Sequence, residues 1–280
     1  MTADLEDAVS PLFVPADRPE RIDKALASTA DAVIVDLEDA VSPDAKDSAR
    51  DTLAAWLAEH PKTSILIRIN PVGDTAHEAD LALCRAHDNI AAIVLPKAES
   101  AAAVSGLDIG DMPLWALIET PAGVLAAADI AAAPTVMRLA FGALDFAAAT
   151  GLDADHVAGT ALLNQARGQL VLASAAAGLA PPLDSPQPVF RDSEPVARAA
   201  EHAAAMGFGG ALAIHPAQLD AIRAAFTPSA ETRDWARRIV TAAEDNGTGA
   251  AQLDGVMIDS PVIKRARRVL DIASRFRSAG

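Results

Sequence analysis

The chain has 280 residues, 51% of them hydrophobic, one cysteine and a formal net charge of −15. That charge argues against nonspecific nucleic-acid binding, which needs Lys and Arg to displace counterions. A single cysteine excludes an internal disulfide or a multi-cysteine metal site and points to a reducing, cytoplasmic compartment, while no apolar run long enough to span a membrane and no signal-peptide core are evident.

Short apolar runs recur about every 25–30 residues, the length of one strand-plus-helix unit. They predict strands over 11–16, 32–38, 64–69, 90–96, 113–119, 138–145, 183–190 and 209–215. The seventh is the weakest, because prolines fit poorly in a central strand. Helices are expected over Arg18–Ser28, Ala45–Glu59, Thr75–Ala86, Ala122–Ala132, Thr160–Ala177, Ser193–Met206 and Pro216–Ala225. Pro43-Asp44 and Asp192-Ser193 read as helix starts, Gly178 and Gly207 as stops. Eight alternating units predict an α/β fold, a (β/α)₈ TIM barrel over residues 1–227. Beyond Thr227-Pro228-Ser229 the pattern changes to a helix (Glu231–Glu244), a flexible turn (Asp245–Gly249), a strand (Gln252–Ile258) and a basic helix (Val262–Arg277). Residues 228–280 are too few for a domain and read as an appendage on the barrel or on a neighbouring subunit.

Charge gathers where the runs end. Val33-Ile34-Val35 leads into Asp36-Leu37-Glu38-Asp39, and Ile65-Leu66-Ile67 into Arg68. Ile93-Val94-Leu95 leads into Pro96-Lys97, Leu114–Ile118 into Glu119, and Leu139–Gly142 toward Asp145. A buried strand needs an apolar body, and only its exit carries charge cheaply. In a parallel sheet all exits share one face, so these charges are expected to converge. Glu119 and Asp145 would end neighbouring strands, where two carboxylates repel and a divalent cation relieves the repulsion. Oxygen-only ligands suit Mg²⁺ or Mn²⁺, with Asp36 and Glu38 ordering the waters around it. The plainer reading makes each carboxylate a solvated loop residue or a helix cap.

Arg68 offers a planar fork for a substrate carboxylate, or else an ion pair with Asp36 or Glu38. Lys97 suits an anion, a Schiff base as in metal-free aldolases, or an ion pair; neighbouring carboxylates keep it charged and disfavour the Schiff base. His215 reads as structural and Cys84 as packing. Two basic clusters, Arg18, Arg21 and Lys24, and Lys264, Arg265, Arg267 and Arg268, would suit a phosphorylated ligand or simply form solvated faces. The octapeptide Asp-Leu-Glu-Asp-Ala-Val-Ser-Pro occurs at 4–11 and again at 36–43. Only the second copy follows an apolar run, so only it is assigned chemistry.

Further segments complete a pattern: Leu12-Phe13-Val14-Pro15, Arg68-Ile69-Asn70, Leu95–Ser100, Glu119-Thr120, Gly142-Ala143-Leu144-Asp145, Ile214-His215-Pro216 and Met257–Pro261. In order and spacing they resemble the citrate lyase β-subunit/malyl-CoA lyase family of the HpcH/HpaI aldolase–citrate lyase superfamily, over nearly the whole chain. The resemblance implies a Mg²⁺-dependent carbon–carbon lyase acting on a β-hydroxyacyl-CoA of the citryl, malyl or citramalyl type, with an acyl-CoA and a 2-oxo acid as partners. It also implies that Glu119 and Asp145 bind the metal, that Arg68 binds the oxo-acid carboxylate, and that Asp259 moves the proton at the thioester α-carbon. From its residues alone Asp259 reads as an N-cap for the helix beginning near Pro261. In the family the tail closes the site of an adjacent subunit, commonly in a trimer. The chain departs from the family at Val9 (commonly Arg), at Ala16 (commonly Gly) and at Leu144 (often Glu). Two alternatives stay open: a CoA-independent aldolase for free 2-oxo-4-hydroxy acids, and a non-catalytic subunit that needs a partner.

Overall fold

The structure, a computed structural model, describes residues 5–245, 251–253 and 256–275. It divides into two compact units, Met1–Arg223 and Ala224–Gly280.

In the first unit eight parallel strands form one sheet in sequential order: β1 (Leu12–Pro15), β2 (Val33–Asp36), β3 (Ile65–Arg68), β4 (Ile90–Leu95), β5 (Leu114–Ile118), β6 (Val136–Phe141), β7 (Leu183–Asp184) and β8 (Gly210–Ala211). The segment after β8 reaches β1. Phe13 N–H donates to Ala213 O and Ala213 N–H to Pro11 O, both at 2.8 Å, and Leu12 and Ala213 form a parallel bridge. The helices are α1 (Pro19–Leu26), α2 (Lys46–Glu59), α3 (His77–Ala86), α4 (Ala101–Ser105), α5 (Pro121–Leu125), α6 (Ala127–Ala131), α7 (Ala143–Thr150), α8 (Val157–Ala177), α9 (Ser193–Met206) and α10 (Leu219–Phe226). None among the described residues is long and apolar enough to cross a membrane.

The strands β2 and β5 are buried at every position, which is why they read as continuous apolar runs rather than alternating ones. Ile34, Leu66, Ala92, Val94, Trp115, Leu117, Ala140 and Leu183 pack into one cluster. Side chains two apart share a face of a strand. Asp36 therefore follows Ile34, Arg68 follows Leu66, and Glu119 follows Leu117 onto the same face. The periodicity that builds the apolar layer also aims the charges just beyond it.

Several predicted bounds need correction. The sixth strand stops at Phe141 instead of running to 145. Gly142 is followed by the alanine-rich α7, so Asp145 lies in a helix's first turn, not on a strand. The seventh and eighth strands shrink to two residues each; Pro186 and Pro188 have no N–H with which to extend the ladder. The 122–132 helix begins at Pro121, capped by Thr120 Oγ1 on Gly123 N–H at 3.1 Å, and breaks at Ala126 into α5 and α6. The five-residue α4 was not anticipated, being too short for a periodic signal. The predicted Pro216 helix opens as a 3₁₀ turn before α10. Asp192 caps α9, accepting from Glu194 N–H at 3.0 Å. Gly178 and Gly207 end α8 and α9 in left-handed conformation, at φ 72° and 101°.

The first copy of the octapeptide has a structural task. Leu5–Asp7 form a 3₁₀ turn and Ala8 joins the apolar cluster. Buried Arg138, over the Trp115 ring, donates to Ala8 O at 2.6 Å and to Pro181 O at 2.8 Å. Asp31 Oδ2 accepts from Val9 N–H, Ser10 N–H and the Ser10 hydroxyl at 2.8–3.1 Å. A Cβ on Gly210 would come within 2.2 Å of Val9 O, so the main chain of the first copy packs directly against that glycine.

The second unit pairs α11 (Ala230–Asp245) with α12 (Ser260–Arg275) around Ala236, Ile239, Ile258 and Ala266. The single strand expected over Gln252–Ile258 is instead an antiparallel pair, β9 (Ala251–Leu253) and β10 (Val256–Ile258). Residues 246–249 of the predicted turn and 276–277 of the predicted helix lie outside the described residues.

Candidate active site

The exits of β2 to β6 bring Asp36, Glu38, Arg68, Lys97, Glu119 and Asp145 together. Arg68 is the centre. Its Nε and Nη2 donate to the two oxygens of buried Asp36, each at 2.7 Å. Asp36 also accepts the main-chain N–H groups of Glu38 and Ala40, both at 2.9 Å. The ion pair that the sequence offered as one reading of Arg68 is thus present, and it leaves the Nη1 hydrogens of Arg68 unused by Asp36. Nη1 lies 3.0 Å from Glu38 Oε2, but off the axis of a hydrogen bond, so this buried oxygen accepts no donor. The guanidinium stacks over the Phe13 ring, 4.8 Å from its centroid. Burial works against the charge on Arg68, yet hydrogen bonds and charge from Asp36, with Glu38 and Asp39, outweigh it and raise the pKa. The site never sees a neutral arginine.

Lys97 contacts both sides of the cluster: Nζ donates to Glu38 Oε1, and its main-chain N–H donates to Glu119 Oε1 at 2.9 Å. Burial opposes its charge too, but the Glu38 contact prevails and its pKa is raised. An amine whose charged form is favoured in this way is a poor Schiff-base nucleophile. Burial lifts Glu38 above its ordinary value despite these cations.

Glu119 is 2% exposed. Burial first, then the charges of Glu38 and Asp145, push its carboxyl up to about 8. Its close approach to the β6–α7 turn requires Gly142, where a Cβ would fall 2.5 Å from Glu119 Cβ and 2.6 Å from Oε2. The α7 N-terminus is fixed by the Ser185 hydroxyl, which accepts Ala143 N–H at 3.1 Å. Asp145 sits in that first helical turn, where the dipole favours a carboxylate.

The cluster holds carboxylates Asp36, Glu38, Asp39, Glu119 and Asp145 against cations Arg68 and Lys97. That imbalance, together with the donorless Glu38 Oε2 and the raised pKa of Glu119, fits a divalent cation held by oxygen. Among the described residues no group of three or more His, Cys, Asp or Glu forms a ready-made metal cage. Two protein carboxylates, with water or substrate completing the sphere, is an arrangement that suits Mg²⁺.

Sequence reasoning missed the layer behind the site. Lys46 Nζ donates to Leu37 O at 2.7 Å and Glu38 O at 2.6 Å, gripping the main chain that carries Glu38. Buried Asp80 accepts from Asn70 N–H, Asn70 Nδ2 and Arg50 Nη1 at 2.6–2.9 Å. Asn70 Nδ2 also reaches Leu37 O at 3.1 Å, tying the β2 and β3 exits together. A cleft of about 700 Å³ opens beside this layer, lined by Glu38, Lys46, Arg50, Asn70 and Lys97 among others.

The remaining candidates lie on other elements. Arg18, Arg21 and Lys24 are exposed on or beside α1, and Lys264, Arg265, Arg267 and Arg268 are exposed on α12. His215 caps the 3₁₀ turn before α10, as a structural histidine should. Cys84 is buried and its thiol is pushed up to about 12, chiefly by burial, which leaves it inert. Asp259 lies in the second unit and accepts Val262 N–H at 3.2 Å, the cap expected from its residues alone.

The HpcH/HpaI aldolase/citrate lyase family matches residues 9–216. The chain is 38% identical over 262 residues to a citrate lyase subunit beta-like protein of Mycobacterium tuberculosis, covering 92% of this chain and 93% of that protein. It is 35% identical over 280 residues to a (3S)-malyl-CoA thioesterase of Cereibacter sphaeroides, covering 97% and 96%. Among solved structures, the protein CitE of Mycobacterium tuberculosis in complex with magnesium, acetoacetate and coenzyme A matches with TM-score 0.84 and 36% identity, over 96% of this chain and 100% of that one. The family match spans the whole carboxylate cluster and all eight parallel strands, and the chain belongs to the HpcH/HpaI aldolase/citrate lyase family.

Proposed function

We propose that the protein is a Mg²⁺-dependent carbon–carbon lyase, cleaving or forming a β-hydroxyacyl-CoA of the citryl, malyl or citramalyl type, with an acyl-CoA and a 2-oxo acid as the other side. The observation that carries this reading is the Glu119–Asp145 carboxylate pair beside a guanidinium already oriented by Asp36. Relatives whose names and complexes include magnesium, coenzyme A and malyl-CoA support it.

In this reading Glu119 and Asp145 hold Mg²⁺, with Mn²⁺ as a substitute, and Glu38 orients water beside it. The bound ion would supply Lewis-acid polarisation of the oxo-acid carbonyl. Asp36 locks the Arg68 fork, and Nη1, which lies 3.0 Å from Glu38 Oε2 and 3.5 Å from Asp39 Oδ2, is the group that would turn from them to the substrate carboxylate. Cleavage turns the substrate hydroxyl into the oxo-acid carbonyl, releasing the hydroxyl proton, and leaves the electron pair of the broken bond on the thioester α-carbon, which must gain a proton; we assign that second transfer to Asp259 of a neighbouring subunit. The sheet is read as a closed (β/α)₈ barrel, on the strength of the Leu12–Ala213 bridge. Residues 228–280 are its appendage, the assembly is a homotrimer, and the compartment is the cytoplasm. Arg18, Arg21 and Lys24 are the proposed contacts for CoA phosphates; replacing Arg18 and Arg21 together should raise KM for CoA esters, and an unchanged KM would remove that assignment.

The thioesterase relative favours a second reading, hydrolysis of the same thioesters. One experiment separates the two. Malyl-, citramalyl- and citryl-CoA are incubated with the protein in Mg²⁺ or EDTA and the products followed by mass spectrometry. A lyase gives acyl-CoA plus 2-oxo acid, whereas a thioesterase gives free CoA plus the hydroxy acid. Cleavage of none sinks both and favours a CoA-independent aldolase or a partner-dependent subunit. The Gly142–Glu119 approach adds a second check. Gly142→Ala should weaken Mg²⁺ binding about 10- to 100-fold, because the new methyl displaces Glu119. Calorimetry showing wild-type affinity would refute that packing argument.

A further inference from the structure

Among the described residues, Lys97 is the one non-glycine residue with positive φ, at 49°. Left-handed backbone costs a side-chain-bearing residue free energy and persists only where the surroundings over-determine it. Here they do. Leu95 precedes a proline and is thereby held extended. Ala98 N–H donates to Leu117 O at 3.2 Å, continuing the pairing with β5. Ala98 O abuts Gly123 so closely that a Cβ there would approach to 2.4 Å. Wedged this way, the turn aims the Lys97 N–H at Glu119 Oε1, while Nζ reaches Glu38 on the opposite side. A glycine would hold the turn without strain, but it would lose the Glu38 contact.

We propose that Lys97 is a positioning residue whose strained main chain, more than its ammonium, fixes Glu119 for metal binding. This rests on the reading of Glu119 as a metal ligand. Two variants isolate the main chain because they lose the ammonium equally. Lys97→Gly accepts φ 49° freely, whereas in Lys97→Val a β-branched side chain disfavours it strongly. Mg²⁺ affinity is measured by titration calorimetry on the folded full-length proteins. Lys97→Gly should stay within about threefold of wild type, and Lys97→Val should bind at least about tenfold more weakly than Lys97→Gly. Equal affinities for the two variants would overturn the proposal while leaving Glu119 as a ligand. Wild-type protein that binds no Mg²⁺ would overturn the ligand assignment itself, and this proposal with it. If Lys97→Val does not fold, Lys97→Asn and Lys97→Ala replace the pair, since Asn tolerates the left-handed region better than Ala; Asn should then bind more tightly, and equality again refutes the idea.

Discussion

Replacing Glu119 by glutamine is expected to lower Mg²⁺-dependent turnover by about a thousandfold while leaving the protein folded. Glutamine keeps the shape and can still accept the Lys97 N–H, but it lacks the charge that the proposed metal site requires. Lewis-acid stabilisation is worth several kcal/mol, or roughly three decades in rate. The same substitution has a pH signature without metal. The Glu119 carboxyl ionises at about 8 in the folded protein against an ordinary 4.5. Between those values the folded state holds a proton that the unfolded state has lost. Stability therefore falls as pH rises through that window, and Mg²⁺, which binds the ionised form, should bind more tightly over the same range. Melting temperatures in EDTA from pH 5 to 8 should decline for the wild type relative to Glu119→Gln. Parallel curves would show that burial has not shifted this carboxyl.

Arg68→Met should destabilise the protein by about 3–5 kcal/mol, the usual cost of leaving one half of a buried ion pair alone. Asp36 is 2% exposed and arranged entirely around that guanidinium and two main-chain N–H groups. The double variant Asp36→Asn/Arg68→Met should recover much of the loss, because no isolated charge remains. Urea unfolding of the single and double variants decides this; a single-variant loss under about 1 kcal/mol would contradict the ion pair's burial. Arg68→Lys keeps the charge but not the fork. It should be milder in stability while, on the proposed function, still raising KM for the 2-oxo acid.

Much of the cluster was legible because a strand's period is fixed. Once Val33–Val35, Ile65–Ile67 and Leu114–Ile118 are read as buried strands, Asp36, Arg68 and Glu119 must share a face and an end. Asp145 was found for a partly wrong reason: it belongs to a helical turn that Gly142 begins, and no strand reaches it. The short β7 was over-read because Pro186 and Pro188 break the ladder after Asp184, and β8 because beyond Ala211 only a single bridge, Ala213 to Leu12, continues the pairing. The layer of Lys46, Asn70 and Asp80 was illegible because its partners are main-chain carbonyls and amides distant in sequence. The left-handed backbone at Lys97 was hidden too, since it is imposed by Gly123 and β5 rather than by anything local.

The octapeptide shared by 4–11 and 36–43 gives the nascent chain a decoy of its own acidic loop. Identical letters become, in one place, a 3₁₀ turn and buried plug under Arg138 and, in the other, an ion-pairing exit around Arg68. Nothing within the eight residues can decide between these fates. The decision comes from context: in the second case three β-branched residues, in register with β1 and β3, lead into the copy. Shortening or weakening Val33–Val35 would therefore threaten the uniqueness of the fold before it threatened its stability, by making the two copies competitors for a single place.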